Sequence, residues 1–232
     1  MSGHIRDVRE RFRVREIKSI AKDRKIDVLC HFTRLENLPG ILQNGLLSRT
    51  MLEKRNMDFF AIDSDRLDDC EDAICLSVSF PNYKMFNWKR EHFLEREQVK
   101  LSQWVVLLLN ARILWELECA FCQQNAASAS ERAISLQDRK EPEALERMFF
   151  DFADTSRFDL NLPRNFPTNP QAEVLVFEHI PVIYIRQVHF YDRRTRDDWL
   201  NDFSSSTTAG ICYGPRYFIP RQDYEAWRSD SS

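Results

Sequence analysis

Glycine is scarce, with five in 232 residues. No glycine-rich phosphate loop or G-x-G-x-x-G fingerprint can be assembled from them, so any nucleotide held by this chain is held without P-loop or Rossmann geometry. Long apolar runs are missing as well. The richest stretch, Trp104 to Asn110, is too short to cross a bilayer and reads as a buried strand. The N-terminus is charged from Arg6 onward and lacks the apolar core of a signal peptide, so a soluble, cytoplasmic protein with no membrane partner is expected. Cys30, Cys70, Cys75, Cys119, Cys122 and Cys212 show no disulfide-scaffold spacing. Cys119 and Cys122 form a CxxC pair without a second pair or a nearby histidine, so reduced, packed thiols are expected and no metal. A net charge of −3 with a pI near 6.0 argues against a whole-protein electrostatic DNA binder and leaves room for a local patch.

What is present suits a folded chain: 43% apolar and 30% charged residues, long enough for one full domain. Residues 1–25 carry nine basic and four acidic residues, +5 locally, with Val8, Phe12, Ile17 and Ile20 near helical spacing. This predicts a basic amphipathic N-terminal helix, either packed by one stripe or reaching for phosphate. Residues 26–33 read as a strand and residues 35–44 as a short helix on Leu38, Ile41 and Leu42, capped by Gly45. Residues 49–71 look irregular. Ala73 to Phe80 reads as a second strand, ended by Pro81, with a helix from Asn82 to about His92. Residues 129–151 read as helical, with Pro142 opening a second helix. Asp154 to Pro170 is a long, proline-containing segment without periodicity, the kind that is usually functional or disordered. Strands follow at Ala172–Phe177, Val182–Ile185 and Val188–Tyr191, then a helix near Asp197–Phe203 and a last strand near Tyr217–Ile219. Without regular βαβ alternation, the class expected is α+β.

Several polar groups stand where apolar residues belong. His31 and Thr33 share one strand face in HFT, and Ser77 and Ser79 are spaced the same way in SVS. Glu173 opens an apolar strand, QAEVLV, directly after the long loop, and a carboxylate there needs partners or a chemical role. A lone histidine or serine in a strand is more often structural. The group gains meaning only where the fold sets the strands side by side.

The segment from His31 to Ser48, HFTRLENLPGILQNGLLS, resembles the opening motif of the DarT family, toxins that ADP-ribosylate bases in DNA. QAEVLV resembles that family's catalytic-glutamate strand, and Arg66 falls between the two, where the family places its NAD-binding arginine. The resemblance covers roughly residues 26–190. It implies an ADP-ribosyltransferase domain over 26–232, with a split β-sheet core, flanking helices and NAD as co-substrate in the cleft between two half-sheets. His31, Thr33 and Asn37 would face the nicotinamide end, with Ser77 and Ser79 on the neighbouring strand. Arg66 would fork onto the diphosphate. Glu173 would stabilise positive charge developing at the ribose as nicotinamide leaves, and accept a proton from the attacking base.

The loop before Glu173 would then choose the acceptor, offering Arg157, Arg164, Asn165, Phe166, Asn169 and Gln171; an ordinary surface connection is the competing reading. A second patch, Tyr83 to Arg90, interleaves aromatics with Lys84, Lys89 and Arg90, which suits either single-stranded nucleic acid or core packing. The resemblance implies single-stranded DNA as acceptor and an antitoxin as partner. The stretch AICLSVSFPNYKMF departs from the thymidine-modifying branch and favours guanine. RNA, a protein side chain, and a non-enzymatic binding domain on the same fold are the alternatives.

Overall fold

In the computed structural model, which describes residues 2–60, 70, 72–177, 179–203 and 207–227, the chain opens with helix α1 (Ser2–Asp23). Only the C-terminal half of its expected stripe packs. Ile17 and Ala21 are buried in the main core, whereas Val8 and Phe12 are exposed. Two of its basic side chains pair with carboxylates, Arg13 with Glu10 within the helix and Arg9 with the distant Glu141 at 3.1 Å.

Strand β1 (Val28–Arg34) leads through a 3-10 turn into α2 (Leu38–Asn44), whose Leu38 and Ile41 are buried. Gly45 ends the helix at φ 79°, and a Cβ there would lie 2.3 Å from the Ile180 carbonyl oxygen, so glycine is required on two counts. Strand β2 (Leu46–Leu47) follows. The segment expected to be irregular begins with a helix instead, α3 (Arg49–Lys54), because the Ser48 hydroxyl accepts the Met51 N–H and starts a turn.

Strand β3 (Ala73–Val78) stops short of Phe80, since Ser79 takes a left-handed φ of 61°. Ser77 and Ser79 therefore do not share a regular strand face, a correction to the reading of SVS. Helix α4 (Tyr83–Glu97) is started by the Asn82 side chain and runs past His92 to a left-handed Gln98. Strand β4 (Trp104–Asn110) falls as expected. Helix α5 (Ile113–Glu116) and strand β5 (Cys119–Cys122) were not anticipated.

The stretch expected to be helical from 129 breaks into α6 (Ala129–Arg132), α7 (Leu136–Arg139) and α8 (Pro142–Arg147). Ser128 and Ser135 each cap a new start, and serine competes for backbone N–H groups in this way. Strands β6 (Glu173–Phe177) and β7 (His179–Ile180) precede a 3-10 turn at Val182–Tyr184 where a strand was expected. Pro181 supplies the carbonyl that Tyr184 N–H closes on. Strand β8 (Ile185–Phe190) and helix α9 (Arg193–Asp202) follow. The last strand is β9 (Gly210–Tyr213); the strand expected near Tyr217–Ile219 does not form, and a 3-10 turn at Pro215–Tyr217 leads into that stretch.

Seven strands form one sheet in the order β5-β6-β3-β1-β4-β8-β9, antiparallel except for the parallel β8–β9 edge. One face carries the main core, from Leu29, Leu107 and Val174 to Phe121 and Phe190. The other carries a cluster on Cys30, Phe86 and Trp104 and a smaller one on Ala120, Cys122 and Leu175. The class is α+β, as expected.

Because Ile17 is wholly buried, Ile17→Ala should cost about 2–4 kcal/mol in urea unfolding. Phe12→Ala should stay within about 0.5 kcal/mol. Equal effects would contradict the packing described for α1.

Candidate active site at the split in the sheet

Strands β1 and β4 pair along seven residues, but β1 and β3 share only two registered pairs, Leu29↔Val78 and Cys30↔Ser77. Beyond them the strands part. His31 bridges them there, its Nδ1 lying 3.0 Å from the Cys75 carbonyl oxygen. A carbonyl only accepts, so Nδ1 carries a proton and donates it here. A buried sheet forgoes ladder hydrogen bonds at a cost, and a split at this point marks a place where something other than backbone fills the gap.

A cavity of about 250 Å³ occupies that gap. His31 and Thr33 form one wall and Ala73, Ile74 and Cys75 the other, while the α2–α3 segment and Met57 to Phe60 close it. Asn37 also lines it, and its carboxamide is committed: Nδ2 donates to Thr33 Oγ1 and to the Phe60 carbonyl, both at 3.0 Å, and Oδ1 accepts Phe60 N–H at 2.8 Å. Asn37 thus ties the Phe60 loop to β1 and orients the Thr33 hydroxyl. Arg34, next along, is buried against Phe60, Phe93 and Trp104 and pairs with Glu36 at 2.7 Å, so it is packing and not a ligand group.

Three of the expected NAD contacts, His31, Thr33 and Asn37, therefore share one cavity. Ser77, Ser79 and Glu173 are not among its described walls, and Arg66 lies outside the described residues. Their relation to the cavity follows from strand register. β3 pairs β6 from Ala73↔Phe177 to Leu76↔Val174, and one further step sets Ser77 opposite Glu173. Glu173 then sits about 5 Å across and about 7 Å along from Cys75 of the cavity wall, on the same sheet face. The Ser77 hydroxyl accepts Asn82 N–H at 2.9 Å and so fixes the start of α4. Ser79 Oγ, Asn82 Nδ2 and Tyr83 OH are buried without a hydrogen-bond partner among the described residues. Unmet polar atoms beside a left-handed serine mark the end of β3 as strained, as functional sites often are.

Glu173 is half-buried, and its Oε2 accepts Ala126 N–H at 2.9 Å. Ala126 belongs to the turn after β5, which pairs Cys122 with Glu173. That turn is held in its own right by buried Glu131, whose Oε1 accepts Gln123 N–H at 2.9 Å. Sequence reasoning missed this support. Its strand was read only as a CxxC pair, and only the short apolar run CAFC ahead of the polar QQN signals it. Burial raises the Glu131 carboxyl, against the opposing pull of Gln123 N–H. The Cys122 thiol is pushed up to about 12 by burial, with Glu131 adding to the effect, so it is no nucleophile.

The residues expected to meet an acceptor divide. Arg164 is exposed, and Asn165 and Gln171 are half-exposed. Asn169 is buried, and its Oδ1 accepts Gln171 N–H at 2.8 Å, which shapes the turn ahead of Glu173. Arg157, offered by the sequence as a phosphate contact, is instead internal bracing. It donates to the Phe166 carbonyl at 2.6 Å, to the Pro163 carbonyl at 3.1 Å and to Thr168 Oγ1 at 3.1 Å. In the α4 patch, Phe86 and Lys89 are buried and Trp88 is exposed. No group of three or more metal-ligating side chains occurs among the described residues, and none of the described helices is long and apolar enough to cross a membrane.

Comparison with known proteins agrees with this fold. The sequence model of the family described as "ssDNA thymidine ADP-ribosyltransferase, DarT" matches residues 30–212. No curated relative matches. Among solved structures, Thermus sp. 2.9 DarT in complex with NAD+ superposes with a TM-score of 0.52 at 15% identity, over 83% of this chain and 98% of that one. The same protein in complex with ADP-ribosylated ssDNA gives 0.51 at 16%, over 84% and 97%. Thermosipho africanus DarTG in complex with ADP-ribose gives 0.54 at 15%, over 83% of this chain but only 51% of its own length, so this chain spans about half of it. At such identities the likeness concerns the fold.

Glu131 yields a pH prediction. Its folded value lies above the ordinary 4.5, so its contribution to stability is full below that pH and is lost as pH rises through the folded value. Glu131→Gln keeps an oxygen for Gln123 N–H and removes the charge. Its stability relative to the native chain should therefore rise between about pH 4 and pH 7. A flat difference across that range would contradict the assignment.

Proposed function

We propose that this chain, which belongs to the DarT family of single-stranded-DNA ADP-ribosyltransferases, transfers the ADP-ribose unit of NAD onto a base of single-stranded DNA. The observation that carries the reading is the cavity at the β1–β3 split, with His31 and Thr33 on one wall and Glu173 one strand beyond the other. NAD is the group this gap suits: the Thr33 hydroxyl and the His31 ring are polar groups for a ribose or amide, and the opposite wall is small and apolar.

In this reading the nicotinamide end lies between His31, Thr33 and the β3 wall, with Asn37 holding the lid and Ser77 and Ser79 shaping the end of β3. Arg66 forks onto the diphosphate. The bond from ribose C1′ to the nicotinamide nitrogen breaks and nicotinamide leaves neutral. Glu173, its Oε2 fixed by Ala126 N–H, hydrogen-bonds the ribose through its other oxygen and stabilises the positive charge developing at C1′. A ring or exocyclic nitrogen of the acceptor base then bonds C1′, and its proton passes to the Glu173 carboxylate.

The acceptor strand approaches over the loop 154–170. Arg164, exposed, meets a phosphate; Asn165 and Gln171 meet base edges, and Asn169 sets Gln171 in place. Guanine is the base we favour over thymine, on the AICLSVSFPNYKMF stretch. An enzyme of this kind modifies its own cell's DNA, so an antitoxin that reverses the modification or covers the cleft is the expected partner, and the cytoplasm the expected site. The transferase domain runs over 26–232, with helix α1 seated on it through Ile17 and Ala21.

Two measurements test this with labelled NAD and oligonucleotides. Glu173→Gln should slow transfer about 100-fold to 1,000-fold while NAD affinity changes by less than about threefold; transfer at the native rate would end the assignment. Oligonucleotides lacking guanine should take no label and those lacking thymine should take it. The reverse pattern would assign thymine.

A further inference from the structure

The family match ends at residue 212, yet the segment after it is built into the acceptor loop. Arg221 is buried, with a side chain only 3% exposed. Its guanidinium donates from Nη1 to the Pro167 carbonyl and from Nη2 to the Thr168 carbonyl, both at 2.9 Å. Nε meets Asp223 Oδ1 at 2.6 Å, and Nη2 also meets Asp223 Oδ2. Asp223 is held in turn by Trp227 Nε1 at 2.8 Å. Gln222 reaches the Asn161 carbonyl at 3.0 Å, and the Arg221 guanidinium lies over the Phe166 ring at 5.6 Å.

Four N–H directions of one planar fork are thus spent on two consecutive loop carbonyls and one carboxylate. A lysine cannot reproduce that geometry. The loop has no regular ladder of its own. From the other side it is held by Arg157 and by Thr168 N–H on the Met148 carbonyl at 2.9 Å. Pro167 and Thr168 are followed at once by Asn169, Gln171 and Glu173. Tyr224, from the same C-terminal segment, lines a groove of about 370 Å³ together with Gln171, Lys84 and the exposed Trp88.

We propose that residues 215–227 form a brace for the acceptor side of the site, and that Arg221 is a positioning residue. It holds Gln171, and the groove beside it, in register with Glu173 for the incoming DNA strand. The inference rests on the proposed function only in taking the loop as the acceptor surface. The contacts described for residues 215–227 reach the loop and α4, and none reaches a residue that lines the β1–β3 cavity, so donor affinity should change less than transfer.

The test uses the full chain with Arg221→Lys, and Trp227→Phe as a milder variant that keeps the ring but removes the donor to Asp223. Transfer of labelled ADP-ribose to a single-stranded oligonucleotide, NAD affinity by calorimetry, and the rate of trypsin cleavage at Arg157 and Arg164 are measured together. Arg221→Lys should lower kcat/KM for the oligonucleotide about tenfold or more, hasten cleavage, and leave NAD affinity within about threefold. Trp227→Phe should move the same readouts less far, and it decides the matter where Arg221→Lys does not fold. Native transfer and native cleavage in the folded variants would overturn the proposal, as would equal loss of transfer and NAD affinity. A native chain that labels no oligonucleotide would instead defeat the acceptor assignment, while the cleavage rates would still report on the brace.

Discussion

The parting of β1 from β3 after two registered pairs is the constraint on which the remaining architecture turns. A sheet of seven strands would ordinarily be closed by backbone hydrogen bonds from edge to edge. Here the ladder fails at its middle, and a histidine side chain stands where an amide would. The gap needs a wall at each side, supplied by the long β1–β4 pairing and by the β3–β6 pairing. It also needs a cover, supplied by α2, α3 and the Phe60 loop that Asn37 ties down. Gly45 lets the cover turn sharply against Ile180, where any side chain would collide.

The carboxylate at the other end of this arrangement is positioned by a chain of supports and not by a single contact. Glu173 begins its strand, so its side chain meets the turn after β5, where Ala126 N–H takes one oxygen. Glu131 holds that turn from beneath. In the loop ahead of Glu173, Asn169, Arg157 and Arg221 convert a segment without secondary structure into a surface of defined shape. A carboxylate so placed is oriented before any substrate arrives, which is what electrostatic stabilisation of developing charge requires.

Much of this was legible in the residues. The strand at Trp104–Asn110, the Gly45 cap and the strand opened by Glu173 carry local signals strong enough to read alone; HFT indicated one wall of the cavity, and QAEVLV the strand paired behind the other. Other elements were not legible, for identifiable reasons. CAFC is four residues long, too short for periodicity, and becomes a strand only because Val174 and Val176 lie ready to pair. Ser79 reads as strand by alternation, yet takes a left-handed φ in a turn closed by Phe80 N–H on the Val78 carbonyl. Arg157 and Asn169 look like ligand groups in sequence and prove to be loop supports, because carbonyls that will need partners cannot be seen in a sequence. Arg221 gave no signal at all, since the loop carbonyls it holds, Pro167 and Thr168, lie more than fifty residues away.

The central claim is that the cavity and the Glu173 carboxylate serve one dinucleotide. A crystal structure with a non-cleavable NAD analogue tests it most directly. The account predicts nicotinamide between His31, Thr33 and the Ala73–Cys75 wall, with a ribose hydroxyl about 2.6–3.2 Å from a Glu173 oxygen. Analogue bound elsewhere on the molecule, or in the cavity with Glu173 beyond reach of the ribose, would contradict it.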